Sequence, residues 1–435
     1  MVTLQAQTQT VQVDVHHVTR VEGHGNIVVD LHNGVLEQCE LEIVEAPRFI
    51  EAILNGVNYS QAAQIASRIC GICAVAHTTT SLRASEKALG VKLSPQTQLL
   101  RQIMMYAEIL DSHILHTYML VAPDFFGEGG AISLAKQIPE VVLRALRMKQ
   151  IAGEICKTIA GRHTHPIAMV VGGFTHFPTM NELATLRERL LAMHPDMDET
   201  VNLFQGLAFP DFERETEFIA LHQAETYNFI DGDLISSEGG IWPAEAYRQI
   251  TNEQVVSHST AKHAHHQRES YMVGALARFN LNYDLLEPQA KAAARALNLS
   301  PGCTNPYKIT LAQVIEMVHC LEAAIRVLDQ LLENGITPEP PATPASLSGS
   351  GVGACEAPRG TLFHHYEIKG GFITTANCVI PTAQNLANIE ADMRALVPQI
   401  ALQPTDEITQ ALEMLVRAYD PCISCATHHL KVKFS

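Results

Sequence analysis

Two Cys-x-x-Cys pairs stand near opposite ends of this 435-residue chain and constrain its fold more than any other feature. The first pair is Cys70 and Cys73, in "RICGICAVAH", and the second is Cys422 and Cys425, in "DPCISCATHH". A tight turn between paired cysteines places both sulfurs on one side, so that they can bind one metal ion. We therefore expect a single four-thiolate site that assembles only after most of the chain has folded.

The thiolate ligands limit which metals can bind here, but several metals remain possible. Soft thiolates select nickel, iron, zinc or copper(I) over magnesium or calcium. Redox chemistry at this site would favour iron or nickel, whereas a structural zinc ion and an iron–sulfur cluster are the two alternatives. A second cluster is not predicted, because the other cysteines are isolated and most should be small core residues: Cys39, Cys156, Cys303, Cys320, Cys355 and Cys378.

Composition excludes several classes of function. Charged residues make up only 17% of the chain and hydrophobic residues 47%, which is typical of a subunit that buries surface against partners. A formal net charge of −16 and the lack of a Lys/Arg-rich run argue against nucleic-acid binding. No apolar stretch is long enough to predict a membrane span, and "MVTLQAQTQT" lacks the features of a secretory signal. The sequence therefore predicts a cytoplasmic protein.

Hydrophobic periodicity predicts an α+β fold that is predominantly helical. Residues 1–50 should form a small N-terminal β-sheet, because "VQVDVHHV", "NIVVDL" and "LEQCELEIVE" are separated by glycine-containing turns. Residues 51–428 should form a large helical body. Its clearest helices are "LAQVIEMVHCLEAAIRVLDQLLENG", ended by Asn334-Gly335, and "TDEITQALEMLVRAYD", with Thr405 as N-cap. The segment 336–360 is dense in Pro, Ser and Gly and should be a linker or a long loop packed at a site.

Polar residues in unusual settings accompany the cysteine pairs. Glu51 stands among apolar residues, where a carboxylate is costly unless it is paired or bound to a metal. The others follow a turn or a proline: Arg20, Glu22 and His24 between the first two predicted strands, Arg359 after Pro358, and Thr382 after Pro381. The histidine runs at 16–17 and 263–266 should be solvent-facing or interfacial.

Taken together and in this order, these segments resemble the large, catalytic subunit of the [NiFe] hydrogenases. The residues that carry the resemblance span nearly the whole chain: Arg20 to His24, Glu51, Arg68 to His77, the Arg359 loop, Pro381-Thr382 and Asp420 to His428. The segments 110–124, 161–173 and 271–280 are similar to the family as well. "DGDLISSEGGIWPAEAYRQ" and "VVSHSTAKHAHH" most resemble its cytosolic multisubunit branch, the sulfhydrogenases and other enzymes that exchange electrons with NAD(P).

The resemblance implies a metal centre and a role for each motif residue. The four cysteines would hold nickel and iron, with cyanide and carbon monoxide on the iron; Cys73 and Cys425 would bridge the metals, and Cys70 and Cys422 would bind nickel alone. The resemblance also implies that Glu22 accepts a proton from Cys422 and that Arg359 lies over the metals. Thr382, beside Pro381, would donate a hydrogen bond to a cyanide, and His77 would hydrogen-bond a cysteine sulfur. Glu51 and His428 would bind a separate Mg²⁺ or Fe²⁺ ion. The family's acid beside the arginine falls near Asp111 and Ser112, and we leave open which one approaches Arg359.

The implied activity is reversible H2 oxidation and proton reduction, with electrons leaving through an iron–sulfur small subunit to a flavin-containing, NAD(P)-linked diaphorase. This chain has no NAD(P)- or flavin-binding residues of its own. A maturation protease would remove residues 429–435 after nickel chaperones have delivered the metal, so a chain that retains them would be the unprocessed precursor. The alternatives are a F420-non-reducing hydrogenase coupled to heterodisulfide reductase or ferredoxin, a non-enzymatic H2 sensor, a metal-free relative like the complex I subunit, and a structural zinc protein.

Overall fold

A computed structural model of the protein describes residues 10–427. The predictions for His428 and for residues 429–435 concern residues outside that range. The described strands are β1 (Val11–Val15), β2 (Gly25–His32), β3 (Val35–Ile43), β4 (Met169–Val170), β5 (Gly173–Phe174), β6 (Glu217–His222), β7 (Asp233–Ser236), β8 (Ile241–Trp242), β9 (Tyr271–Met272), β10 (Gly349–Ala357), β11 (Gly360–Lys369) and β12 (Phe372–Val379).

Helices account for most of the regular structure. They are α1 (Ile50–Leu54), α2 (Tyr59–Ala66), α3 (Ala74–Leu89), α4 (Pro95–Ile114), α5 (Ala122–Phe125), α6 (Ala131–Gln137), α7 (Pro139–Ala160), α8 (Met180–Leu191), α9 (His194–Gln205), α10 (Tyr247–Thr251), α11 (Ala275–Asn282), α12 (Pro288–Ala296), α13 (Ile309–Asn334), α14 (Pro381–Ile400), α15 (Thr405–Ala418) and α16 (Ile423–Ala426). A π-helical stretch, Leu115–Val121, joins α4 to α5. Among residues 10–427, we find no helix with the length and apolarity needed to cross a lipid bilayer.

The N-terminal sheet is an antiparallel meander in the order β1-β2-β3. On β1, Val11 and Val13 are buried while Gln12 and Asp14 are exposed, which is the alternation expected of a sheet with one face on the core. The three strands predicted for residues 1–50 are therefore confirmed.

The helical core is built around α13, which contacts α4, α8, α11 and α12 and is buried along most of its length. Its apolar residues recur at helical spacing, and it ends where Gly335 takes a φ of +75° that only glycine adopts easily. The helix before the second cysteine pair, α15, begins at Thr405 itself, with Pro404 at the N-cap position. The predicted N-cap is thus wrong by one residue, because the carbonyl of Pro404 already accepts the first helical bonds, from the N–H groups of Glu407 and Ile408.

The body also contains sheets that the sequence did not predict. The strands β10, β11 and β12 form an antiparallel sheet, and β8-β7-β6-β9 form a second one in which β6 and β9 are parallel. The prediction of a linker or loop over 336–360 is therefore wrong for residues 349–357, which form β10. The glycines of this strand meet helix α3 at a distance that a side chain would not allow: a Cβ at Gly351 would lie 2.3 Å from the Ala88 nitrogen.

Candidate metal centre

The four cysteines of the two pairs meet in the interior, although 352 residues separate each contact in sequence. One sulfur from each of the four lies within 4.8 Å of the others, and all four residues are buried. The closest contacts join the two pairs: Cys70 Sγ lies 3.5 Å from Cys422 Sγ, and Cys73 Sγ lies 3.8 Å from Cys425 Sγ. The predicted joint site is therefore present in the fold.

Each pair stands at the start of a helix. Cys73 is the N-cap residue of α3, and Cys422 is the N-cap residue of α16. The first N–H groups of α3 are bound by the buried carboxylate of Glu108, which accepts from Val75 and Ala76. The helix that carries the first pair is thus held by an acid that sequence reasoning did not single out.

Arg48 connects the two cysteine segments directly. Its guanidinium donates to the carbonyl of Ile69, just before Cys70, and to the carbonyl of Ser424, between the cysteines of the second pair. Its own backbone N–H donates to the Thr427 carbonyl at 2.8 Å. Arg48 therefore fixes the separation of the pairs, and its position three residues before Glu51 was the only sequence signal for it.

The four thiols differ in how readily they lose their protons. The pKa of Cys70 is held well below its ordinary value by hydrogen bonds from the other three thiols, chiefly that of Cys422. The N–H groups of Ile72 and Cys73 also donate to Cys70 Sγ, each at 3.2 Å. Burial raises the pKa of Cys422 and of Cys425 well above the usual range. A cation that binds here must displace those thiol protons, which is the behaviour of a soft-metal site.

Arg359 lies beside the sulfurs and is buried. Its Nε donates to the Asp420 carbonyl at 2.6 Å and its Nη2 to Asp420 Oδ1 at 2.8 Å. Its Nη1 is buried and has no hydrogen-bond partner within the described residues. The acid beside Arg359 is therefore Asp420 from the second motif, whereas Asp111 pairs with Lys149 at 2.6 Å; the expectation that Asp111 or Ser112 would pair with Arg359 is replaced by this geometry.

A buried polar cluster orients the turn that carries Arg359. Arg278 donates to the carbonyls of Ala357 and Pro358, each at 3.0 Å, and it is neutralised by Glu316 and Glu356. Gly274, in the same 271–280 segment, packs against the Arg359 carbonyl, from which an added Cβ would be only 2.9 Å away, and its φ is +110°. That segment therefore supports the arginine rather than entering the site.

Thr382 contacts the second pair through its hydroxyl. The backbone N–H of Cys422 donates to Thr382 Oγ1 at 2.9 Å, which leaves the hydroxyl proton directed elsewhere. Pro381 is the first residue of α14, where its fixed φ suits the helix start and its missing N–H is not needed. Both residues line a small cavity together with Cys73, Cys422 and Cys425.

His77 lines the same cavity and begins a chain of buried polar groups. Its Nδ1 lies 3.1 Å from Nε2 of His364, whose Nδ1 lies 2.8 Å from the Tyr366 hydroxyl. The Tyr366 hydroxyl in turn contacts Ser81 Oγ at 2.9 Å. Such a chain fixes the ring orientation and the tautomer of His77; His364 and Tyr366 were missed by sequence reasoning.

Glu22 reaches the second pair from the turn between β1 and β2. Its carbonyl accepts from the Ile423 N–H at 2.9 Å, and its Oε2 accepts from the Ser424 N–H at 3.1 Å. The neighbouring Gly23 makes this approach possible, because its φ is +88° and a Cβ there would lie 2.7 Å from that of Ile423. Glu22 is half-buried, and its backbone pairs with that of Cys422.

Glu51 lies apart from the sulfur cluster, in a separate polar cavity. Its Oε1 accepts from the Cys378 N–H at 2.7 Å and from Asn377 Nδ2 at 3.1 Å. The buried acid singled out in the sequence is therefore held by two N–H donors, at the end of β12 that leads to Pro381.

Comparison with known proteins places this arrangement in a family. The sequence model described as nickel-dependent hydrogenase matches residues 48–137 and 240–428, and one described as HoxL-like matches residues 12–46. The chain belongs to the [NiFe] hydrogenase large-subunit family. It is thus the catalytic subunit of an oxidoreductase that acts on H2, and its buried four-cysteine cluster suits the nickel-dependent centre.

Individual relatives of this hydrogenase subunit cover nearly all of it. The alpha subunit of sulfhydrogenase 1 from Pyrococcus furiosus is 34% identical over 97% of this chain and 98% of its own length. A subunit of the F420-non-reducing hydrogenase from Methanothermobacter thermautotrophicus is 31% identical over 96% of this chain and 95% of its own. A crystal structure of an NAD⁺-reducing [NiFe] hydrogenase in the H2-reduced state superposes with a TM-score of 0.86, at 29% identity, over 97% of this chain and all of that one. The family fold predicted from the motifs is confirmed.

Proposed function

We propose that the four cysteines hold a Ni–Fe centre in which Cys70 and Cys422 bind nickel alone and Cys73 and Cys425 bridge the metals. The observation that carries this proposal is the buried cluster of four sulfurs, in which each of the two closest contacts pairs one cysteine from each motif. When bound, the metals would supply the electron acceptor and the Lewis acidity that H2 cleavage requires.

The surrounding residues suit the diatomic ligands that accompany iron in this family. Two donors lie beside the same cavity: Nη1 of Arg359, which has no hydrogen-bond partner among residues 10–427, and the hydroxyl proton of Thr382. Cyanide accepts hydrogen bonds, whereas carbon monoxide is a poor acceptor, so two donors fit two cyanides. A buried arginine keeps its charge, and Asp420 balances that charge.

His77 is proposed to hydrogen-bond a cysteine sulfur through Nε2. The Tyr366 hydroxyl donates its proton to Ser81 Oγ, so its oxygen would accept from Nδ1–H of His364. Nε2 of His364 would then accept from Nδ1–H of His77, and a neutral His77 would accept at Nε2 from a cysteine thiol.

Glu22 is the proposed proton acceptor for Cys422. The backbone of residue 22 pairs with that of the second motif, and the carboxylate is half-buried beside Ser424. A carboxylate placed between a buried thiol and the exterior can receive a proton and pass it outward. Asp420 does not suit this role, because Arg359 and Gln313 already hold both of its oxygens.

A Mg²⁺ or Fe²⁺ ion bound by Glu51 and His428 is the second proposed metal site. Glu51 is buried, and its carboxylate is a ligand that either ion accepts. Supporting residues would be His428, outside the described range, and water.

The electrons are proposed to leave through an iron–sulfur small subunit to a flavin-containing, NAD(P)-linked diaphorase in the cytoplasm. The support is the similarity to the sulfhydrogenase relative, together with the 0.86 TM-score with the NAD⁺-reducing enzyme. Nickel chaperones and a protease that removes residues 429–435 complete the proposed set of partners. The second candidate is transfer to a heterodisulfide reductase or ferredoxin, which the similarity to the F420-non-reducing enzyme favours.

The test is purification of the chain with its natural partners, followed by analysis of nickel, iron and flavin and by H2 uptake assays. We expect nickel near one per chain and H2-dependent reduction of NADP⁺ or NAD⁺. Uptake with viologen dyes but not with either nucleotide would overturn the proposed acceptor. Zinc bound by the four cysteines in place of nickel would overturn the proposed centre.

A further inference from the structure

A second cluster of possible metal ligands lies outside the cysteine site. It consists of His258 and His263, in the loop that follows α10, and Glu390 on α14. One ligand atom from each lies within 4.8 Å of those from the other two. The fold thus brings together two imidazoles and a carboxylate from segments that are more than one hundred residues apart.

The partners within this cluster are incomplete. His258 Nε2 lies 2.7 Å from Glu390 Oε1, and His258 Nδ1 lies 3.6 Å from Glu40 Oε1. His263 is buried, with only 5% of its surface exposed. Its Nε2 has no hydrogen-bond partner in the described part of the chain. An unsatisfied buried nitrogen is costly, so this imidazole needs a partner that the described protein atoms do not provide.

The cluster is held in place by backbone contacts. The loop closes on itself where Gln254 and His263 exchange two N–H···O=C bonds of 2.9 Å, and it docks on β3 where Thr260 donates to the Ile43 carbonyl at 3.0 Å. The Leu41 N–H of the same strand donates to Glu390 Oε1 at 3.0 Å. The positions of all three ligands are therefore set before any ion binds.

The charged groups around the cluster are two carboxylates, Glu390 and Glu40, and one guanidinium, that of Arg394. Arg394 donates to Glu390 Oε2 at 3.4 Å, on the oxygen that does not contact His258. Glu40 faces the opposite ring nitrogen of His258, Nδ1, at 3.6 Å, where a carboxylate can orient an imidazole whose Nε2 binds a metal.

We propose that His258, His263 and Glu390 bind one Zn²⁺ ion, with a water molecule as the fourth ligand. Two imidazoles, one carboxylate and one water form a tetrahedral donor set of the kind that zinc accepts. Zinc bonds of about 2.0 Å in tetrahedral geometry would place neighbouring ligand atoms about 3.3 Å apart. The ion would replace the proton in the hydrogen bond between His258 Nε2 and Glu390 Oε1, which are now 2.7 Å apart. Binding would therefore move these two atoms apart by about half an ångström. The ion would join the loop to α14, and α14 begins at Pro381-Thr382 beside the cysteine cluster.

The test is zinc analysis of the purified full chain, together with the partner subunits that accompany it, after incubation with ZnCl2 and removal of loose metal. We expect one zinc per chain in the wild type beyond any zinc of the partners, and loss of that one zinc in His263→Gln and in Glu390→Gln. The matched control is His194→Gln, because His194 also pairs with a glutamate, Glu322 at 2.8 Å, but belongs to no cluster of three ligands among the described residues. That variant should keep its zinc.

A second measurement does not depend on how the variants fold. X-ray absorption at the zinc edge of the wild type should show nitrogen and oxygen neighbours near 2.0 Å and no sulfur. Cys425→Ser should keep this zinc although it loses nickel, which separates this proposal from that for the cysteine site. Equal zinc contents in the wild type and His263→Gln, sulfur neighbours around the zinc, or no zinc uptake by the wild type would each overturn the proposal.

Discussion

The cysteine cluster depends on individual side chains of two kinds: the cysteines themselves, and the residues that hold them at a fixed distance from one another. The sulfurs come from two motifs that are recognisable in the sequence, and their spacing is sufficient to predict that they converge. The groups that set their distances are not recognisable in that way. Arg48 and Asp420 act through contacts across 376 and 61 residues, respectively, and such pairings depend on the complete fold.

Replacing Cys425 by serine should abolish assembly of the metal centre. The hydroxyl is a hard, weakly acidic ligand, whereas nickel and iron here require thiolates. Nickel content and H2 uptake should both fall to background. Cys303→Ser is the control, because Cys303 is half-buried and lies outside the cluster; full nickel content in Cys425→Ser would contradict the ligand role.

Glu22→Gln should lower H2 turnover and H/D exchange by about 10²-fold or more, because the amide cannot accept the proton. Nickel and iron contents should not change, since the backbone contact with Ile423 is retained. The control is Glu45→Gln, a nearby acid that binds His24 instead. If Glu22→Gln loses its metals, the residue is structural and the relay assignment is wrong.

Arg359→Lys tests geometry separately from charge. Lysine keeps the positive charge but cannot donate at once to the Asp420 carbonyl, to its carboxylate and into the cavity. We expect turnover to fall by about 10²-fold at unchanged nickel content. Turnover within a factor of two of the wild type would show that charge alone is sufficient.

Whole elements show where sequence patterns mislead. The strands β1 to β3 and helix α13 follow their hydrophobic periodicity, so their prediction was accurate. The segment "GSGVGACEA" looks like a loop because glycine is rare inside strands. In the structure Gly349, Gly351 and Gly353 alternate along β10 and face the backbone of α3, where any Cβ would lie within about 2.0–2.3 Å of a main-chain atom. Glycine here permits close packing of a helix on a sheet, and no local pattern distinguishes that use from a flexible loop.

Gly351→Val should therefore destabilise the protein through this contact. Overpacking against main-chain atoms that cannot move aside costs about 3 kcal/mol, which corresponds to a fall of about 3 °C in the midpoint of thermal unfolding for a chain of this length. Gly129→Val is the matched control, since nothing lies within 4 Å of its added Cβ. Equal midpoints for the two variants, measured by calorimetry, would contradict the packing argument.

Across the described residues, an early and a late segment of the chain meet at the four-cysteine site. Residues 20–48 contact 420–427 through Glu22 and Arg48, and the sulfurs close a loop of 352 residues. Constraining a loop of that size stabilises the folded state by up to about 6 kcal/mol in the chain-entropy description. The bound metals would therefore stabilise the fold in addition to forming the reaction centre.

Protein produced without nickel should consequently unfold at a lower temperature than the metal-loaded protein, by about 6 °C if the full loop term applies. The comparison requires the same chain from nickel-depleted and nickel-replete cells, with iron measured in both. Limited proteolysis should cut the segment after α15 earlier in the nickel-free form. Identical midpoints and cleavage rates would show that packing alone closes the loop.

The separation of the two pairs also has a consequence in time. At about 5–20 residues per second, a ribosome needs roughly 20–70 seconds to make the chain between Cys70 and Cys422. Through that interval the first two thiols exist without the partners that complete their site, and they are open to oxidation and to whichever soft metal arrives first. Metal delivery that waits for the second pair is thus a requirement of the chain order itself, because the four-cysteine site cannot form before Cys422 and Cys425 have emerged.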